Sequence, residues 1–195
     1  MALPPSLARN VLTRPGDVVL TRGNAWISRA IRFMERTWGE SKSRVNHVGI
    51  IVEGGPLTRC VLVEALSRVR RHRLWITYAY TGTEVAIYRP INLTRDEVER
   101  VVSEAEKYVG RQYGYLKIAA HAIDRLLGGV YLARRLANLD RYPICSWVVA
   151  QAFHKGAGKD FGCPPGQAQP DDIDDFIQAN PDKYMEIIPL DTLGQ

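Results

Sequence analysis

At 195 residues, with 46% hydrophobic and 24% charged residues, the chain has the size and composition of one globular domain with a sizeable core. Its three cysteines, Cys60, Cys145 and Cys163, form no CxxC pair, which argues against a disulfide framework and a structural zinc site; no metal or other cofactor is expected. The net charge of +5 suits contact with an anionic membrane surface or cell-wall polymer, but the basic run at 68–73 lacks the interleaved aromatics of a nucleic-acid platform, so nucleic acid is not an expected partner. The first residues carry no continuous apolar stretch of the signal-peptide kind, and no run approaches about 18 apolar residues, so neither a signal peptide nor a membrane span is expected. The chain reads as cytoplasmic, or released by a non-classical route.

Residues 1–14 read as a lead-in, and 15–195 as the domain. Residues 16–21, Gly-Asp-Val-Val-Leu-Thr, read as a short strand after a Pro-Gly turn. From 24 to about 38, Trp26, Ile27, Ala30, Ile31, Met34 and Trp38 recur at helical spacing. Two β-rich runs, 45–53 and 60–66, flank Gly54-Gly55-Pro56 and suggest a hairpin. Further strands are expected at 71–77 and 83–88. Thr94-Arg95-Asp96-Glu97 is a capping box, followed by the apolar stripe Val98, Val101, Val102, Ala105, Tyr108 and Val109, with Gly110 as a stop. Residues 115–140 read as helical, broken at Gly128-Gly129. A helix opens at Cys145 and runs to about Lys155, with Gly156 as its stop. Another short helix begins within 167–173, and 185–189 suit a last strand. This order predicts an α+β fold, an antiparallel sheet with packed helices.

Chemistry centres on Cys145, at the junction between a proline-containing turn and a helical apolar pattern. A thiol in the first turn of a helix meets unpaired N–H groups with partial positive charge, which push it toward the nucleophilic thiolate. Such a nucleophile needs a base, and the chain has four histidines. His154 lies nine residues further along the same helix, about 180° round the axis. His72 sits among arginines and reads as part of a solvated face. His121 reads as a half-buried helix histidine. His47 instead interrupts an apolar strand, where burying an imidazole is costly without a partner. Glu64 is the one charged group in the next apolar strand and has the same need. A four-residue loop at 54–57 would place the two directly opposite one another on one face; a slip of one residue would separate them. Cys145 as nucleophile, His47 as base and then acid, and Glu64 as the fixed anion then form a complete set for covalent catalysis.

Together, Asn46-His47-Val48-Gly49-Ile50-Ile51-Val52-Glu53, Val63-Glu64-Ala65-Leu66 and Cys145-Ser146-Trp147-Val148-Val149-Ala150-Gln151-Ala152-Phe153 resemble the circularly permuted papain-like cysteine hydrolases of the NlpC superfamily, in the YiiX/YebB-like branch. The order His, Glu, Cys is that of the permuted branch, which also includes acyltransferases of the lecithin:retinol type. Shorter matches are 15–20, 108–115 and 169–173, so the resemblance spans about 15–175 and leaves 116–141 as a helical insertion. It implies attack on an amide or ester through a thioacyl intermediate. It also implies that Tyr113, upstream of the cysteine, helps line the oxyanion site, with the Cys145 N–H as the second donor. The leading expectation is a hydrolase for a peptide or cell-wall-like stem peptide. The alternatives are a lipid-directed acyltransferase or thioesterase, for which 26–38 and 115–140 would supply an acyl pocket, and a binding module that has lost turnover.

Overall fold

The structure is a computed structural model that describes residues 10–23, 44–112 and 144–194. The helices expected at 24–38 and 115–140, and the insertion at 116–141, lie outside these residues. Within them the fold is mixed α+β. In chain order come β1 (Leu12–Thr13), β2 (Val18–Arg22), β3 (His47–Glu53), β4 (Gly55–Pro56), β5 (Val61–Ala65) and β6 (Val69–Arg73). Then follow α1 (Leu74–Tyr78), β7 (Glu84–Pro90), α2 (Arg95–Glu106), α3 (Cys145–Ala157), α4 (Pro170–Ala179) and β8 (Tyr184–Thr192). Six strands form one sheet in the order β6-β5-β3-β2-β7-β8, every neighbouring pair antiparallel. Strands β1 and β4 form a separate small pair.

Strand alternation sorts the core onto two faces. Val18 and Leu20, Val48 and Ile50, Val63 and Ala86 face one side, where α2, α3 and α4 bury Val101, Val149, Phe153 and Ile173 against them. Val19, Ile51, Leu62, Val85 and Ile87 face the other side, covered by Leu57, Cys60, Leu74, Tyr78 and Leu193. Burial on both faces explains why the central strands read as continuous apolar runs.

The capping box forms as its spacing predicts. The Glu97 N–H donates to Thr94 Oγ1 at 3.3 Å, and the Thr94 N–H donates to Glu97 Oε2 at 2.7 Å. Helix α3 passes the expected stop at Gly156 and ends at Gly158, in the left-handed conformation at φ 64°. Gly156 serves close packing instead: a Cβ there would lie 2.5 Å from the Val101 nitrogen of α2. The expected strand at 71–77 is divided. Strand β6 stops at Arg73, and the chain turns into α1. The reason is the i, i+4 pair Leu74 and Tyr78, which both bury on the sheet, while Ile76 between them faces solvent. Its β-branched neighbours suggest a strand, but this spacing prevails. Among the described residues no helix is long and apolar enough to cross a membrane.

Candidate active site

Cys145 is the first residue of α3. Ile144 before it is extended, at φ −101° and ψ 165°, so the chain enters the helix at the cysteine itself. The first backbone bond of the helix runs from the Val148 N–H to the Ile144 carbonyl. Cys145 therefore sits in the first turn, at the positive end of the helix dipole. Helix α3 lies across β3 and β5, and its sulfur meets the ring of His47, the first residue of β3, in a hydrogen bond.

His47 Nε2 lies 2.7 Å from Glu64 Oε2. The two are not directly opposite. Glu64 pairs with Gly49, so His47 reaches it diagonally, from two residues along the same face of β3. The register differs from the expected one because the connection between the strands is seven residues, 54–60, rather than four, and β3 carries an irregularity between Ile51 and Glu53. Gly55 and Pro56 of that connection are drawn into pairing with β1. A shift by two keeps the face, where a shift by one would have lost it. Gly49 makes the diagonal reach possible. A Cβ there would lie 2.6 Å from Leu62 Cδ1 and 3.0 Å from Glu64 Cβ, so the position opposite the carboxylate has no room for a side chain.

Glu64 is 1% exposed and is held by more than His47. The Tyr78 hydroxyl of α1 lies 2.7 Å from both carboxylate oxygens. On the next strand, His72 Nε2 lies 2.7 Å from Oε1, off the line of a well-aligned hydrogen bond. The expectation that His72 belongs to a solvated face is therefore corrected: β6 pairs His72 with Leu62, which turns the ring to the face that carries Glu64. Tyr78 was missed because its run reads as strand. The signal that finds it is the helical spacing from Leu74.

These contacts set the charge states. Burial raises the Glu64 carboxyl, but the charges and hydrogen bonds of His47 and His72 outweigh it and bring the group down to about 2. Burial lowers the His47 imidazolium, but the charges of Cys145 and Glu64 outweigh it and bring the ring up to about 10. Tyr78 is raised well above its usual range by burial and then by the Glu64 charge, so it remains a donor.

The other cysteines have different surroundings. Cys60 is buried, its thiol donates to the Leu57 carbonyl at 3.3 Å, and burial pushes it up to about 11. Burial also raises Cys163. His154, at the far end of α3, is exposed and pairs with Asp160 at 2.8 Å. Tyr113 and His121 lie outside the described residues. Among the described residues no group of three or more His, Cys, Asp or Glu side chains is arranged to hold a metal ion. No family model matches the chain, and neither a curated protein nor a solved structure matches it.

Proposed function

We propose that the protein is a cysteine hydrolase that cleaves an amide of a peptide-like substrate through a thioacyl intermediate on Cys145, within a permuted papain-like fold. The observation that carries this reading is the unbroken chain from the Cys145 sulfur at a helix start, through the His47 ring, to the buried Glu64 carboxylate. With Nε2 committed to Glu64, the nitrogen left for the sulfur is Nδ1. Glu64 thus selects the tautomer whose Nδ1 lone pair can take the thiol proton.

The resulting thiolate attacks the carbonyl carbon. The C–N bond breaks, the amine leaves with the proton from His47, and the acyl group stays on sulfur. Water then attacks the thioester with His47 taking its proton, and the acid product departs as the thiolate is restored beside the protonated ring. Electrostatics suit this order. The negative sulfur holds the ring protonated in the resting site. Once its charge passes to the substrate oxygen, that support is gone, and the ring can release its proton to an amine, which is a poor leaving group without one.

The test uses peptide p-nitroanilides and short-acyl p-nitrophenyl esters, with intact-mass detection of acyl-enzyme. Turnover should fall by about a thousandfold or more in Cys145→Ala, and an acyl adduct should map to Cys145 in the native chain. Equal turnover in Cys145→Ala would sink the reading. Adducts from esters alone, with no anilide cleaved, would replace the amidase by an ester-directed acyl transferase.

A further inference from the structure

Glu64 stands at the centre of a row that runs across three adjacent strands on one face: His47 on β3, Glu64 on β5 and His72 on β6. The two rings approach different oxygens of the carboxylate, His47 at Oε2 and His72 at Oε1, both at 2.7 Å. Helix α1 closes the row with consecutive residues. Thr77 Oγ1 lies 2.6 Å from His72 Nδ1, and the Tyr78 hydroxyl bridges both carboxylate oxygens. Thr21, paired with His47 on β2, hydrogen-bonds Tyr78 in turn.

We propose that His72 is a positioning residue for Glu64: it occupies Oε1, so that the carboxylate presents Oε2 to His47 in one orientation. This rests on the cysteine-hydrolase reading above and extends it to a fourth side chain. The short contact supports it: an ionised carboxylate only accepts, so a nitrogen 2.7 Å from Oε1 must carry a proton, although it lies off the line of a well-aligned hydrogen bond. Thr77 Oγ1 lies 2.6 Å from Nδ1 and also donates to the Arg73 carbonyl at 3.2 Å, so it anchors the far side of the ring to α1 while Nε2 faces the anion. A buried carboxylate held by His47 at one oxygen and by the shared Tyr78 proton can still swing about its side-chain torsions; an imidazole packed 2.7 Å from the second oxygen restricts that swing.

Among the described residues, the other charged or titratable groups set against the row are Cys145 from α3, Tyr78 from α1 and the exposed Arg70 of β6, which pairs with Glu64 across the sheet. Tyr78 does not take the place of His72 at Oε1, because it divides its single proton between the two oxygens.

The experiment measures iodoacetamide labelling of Cys145 by peptide mapping at neutral pH, with Cys60 as an internal reference, and the low-field NMR signal of the His47 Nε2 proton. The variants are His72→Phe, His72→Gln and Glu64→Gln. His72→Phe should slow labelling about tenfold, the effect of losing one hydrogen bond to a charged group, and should shift or broaden the signal. His72→Gln, which returns an N–H donor, should recover most of both. Labelling in His72→Phe as fast as in the native chain, or equal losses in the Phe and Gln variants, would overturn the proposal. Should His72→Phe fail to fold, Thr77→Val keeps the ring and removes the hydroxyl that anchors its far side; a several-fold slowing supports the proposal and an unchanged rate overturns it. Glu64→Gln separates the two levels. If it slows labelling and the His72 variants do not, only the fourth residue is lost. If it leaves labelling unchanged, the Cys145–His47–Glu64 reading fails first.

Discussion

Asp17 and Glu64 are both carboxylates with 1% exposure, yet their surroundings push them in opposite directions. Asp17, at the entry to β2, is gripped by the Arg89 guanidinium through two bonds of 2.9 and 2.8 Å and by the Arg14 N–H at 2.7 Å. Burial still prevails, and its carboxyl is raised. At Glu64 burial also acts upward, but the histidines prevail and the group is lowered. The partners differ in kind. A guanidinium keeps its charge at every relevant pH and holds a planar fork, so the Asp17 corner is a tie between β2 and β7. An imidazole can gain and lose a proton, so the Glu64 corner can respond to a charge arriving or leaving on the sulfur. One buried anion holds strands together, and the other, on the proposed function, serves a proton transfer.

The sharpest way to break this contrast is to neutralise each carboxylate. Glu64→Gln should lower turnover by about a hundredfold or more, because the amide no longer supports a charged ring. Asp17→Asn should cost about 1–3 kcal/mol of stability by leaving one of the Arg89 and Arg14 donors without its acceptor, while turnover per folded molecule is kept. Denaturant midpoints and kinetics on the same samples would decide; a drop in turnover at Asp17 matching that at Glu64 would erase the distinction.

A smaller effect is expected at Gly49. A methyl group there would press on Leu62 and Glu64, so Gly49→Ala should cost about 1–3 kcal/mol and misalign the carboxylate. Loss of stability with labelling of Cys145 unaffected would show that the diagonal reach tolerates movement.

The mildest test is the pH dependence of stability. Between about pH 2 and 4.5 the unfolded Glu64 binds a proton that the folded one does not, so its contribution is full above 4.5 and fades as pH falls toward 2. His47 behaves in reverse: the folded ring keeps its proton up to about 10, so its contribution is full below 6.5 and fades as pH rises toward 10. Asp17, with a raised carboxyl, should weaken the fold as it ionises rather than strengthen it. Glu64→Gln should therefore flatten the acid limb of the native curve. An acid limb left unchanged by that substitution would place the source of acid sensitivity elsewhere.

How much of this could be read beforehand follows from the range of the forces involved. The Thr94–Glu97 capping box and the start of α3 at Cys145 are local, and both were legible in a few residues. His47 and Glu64 were legible as a pair because an apolar strand makes a lone polar group conspicuous, and strand parity limits where it can point. The register was not, because it depends on Gly55–Pro56 pairing with residues 12–13, a contact more than forty residues away in the chain. His72 was hidden by its arginine neighbours; only the β5–β6 pairing turns it toward Glu64. Tyr78 was hidden by Ile76 and Thr77, whose β-preference conceals a single helical turn.

The close approach at Gly156 has a consequence for how the protein could be controlled. It lies eleven residues from Cys145, about 16 Å along α3, and a Cβ there would meet the Val101 nitrogen and Cα, backbone that cannot turn aside, as well as its Cγ2. A helix transmits displacement along its length as a rod does, so a bulkier residue at this remote seat would slide the sulfur relative to His47 while leaving every reacting group in the chain. Gly156 is thus a point at which the reactivity of a cysteine could be dialled from a distance, by engineering or by natural drift, without touching the chemistry itself.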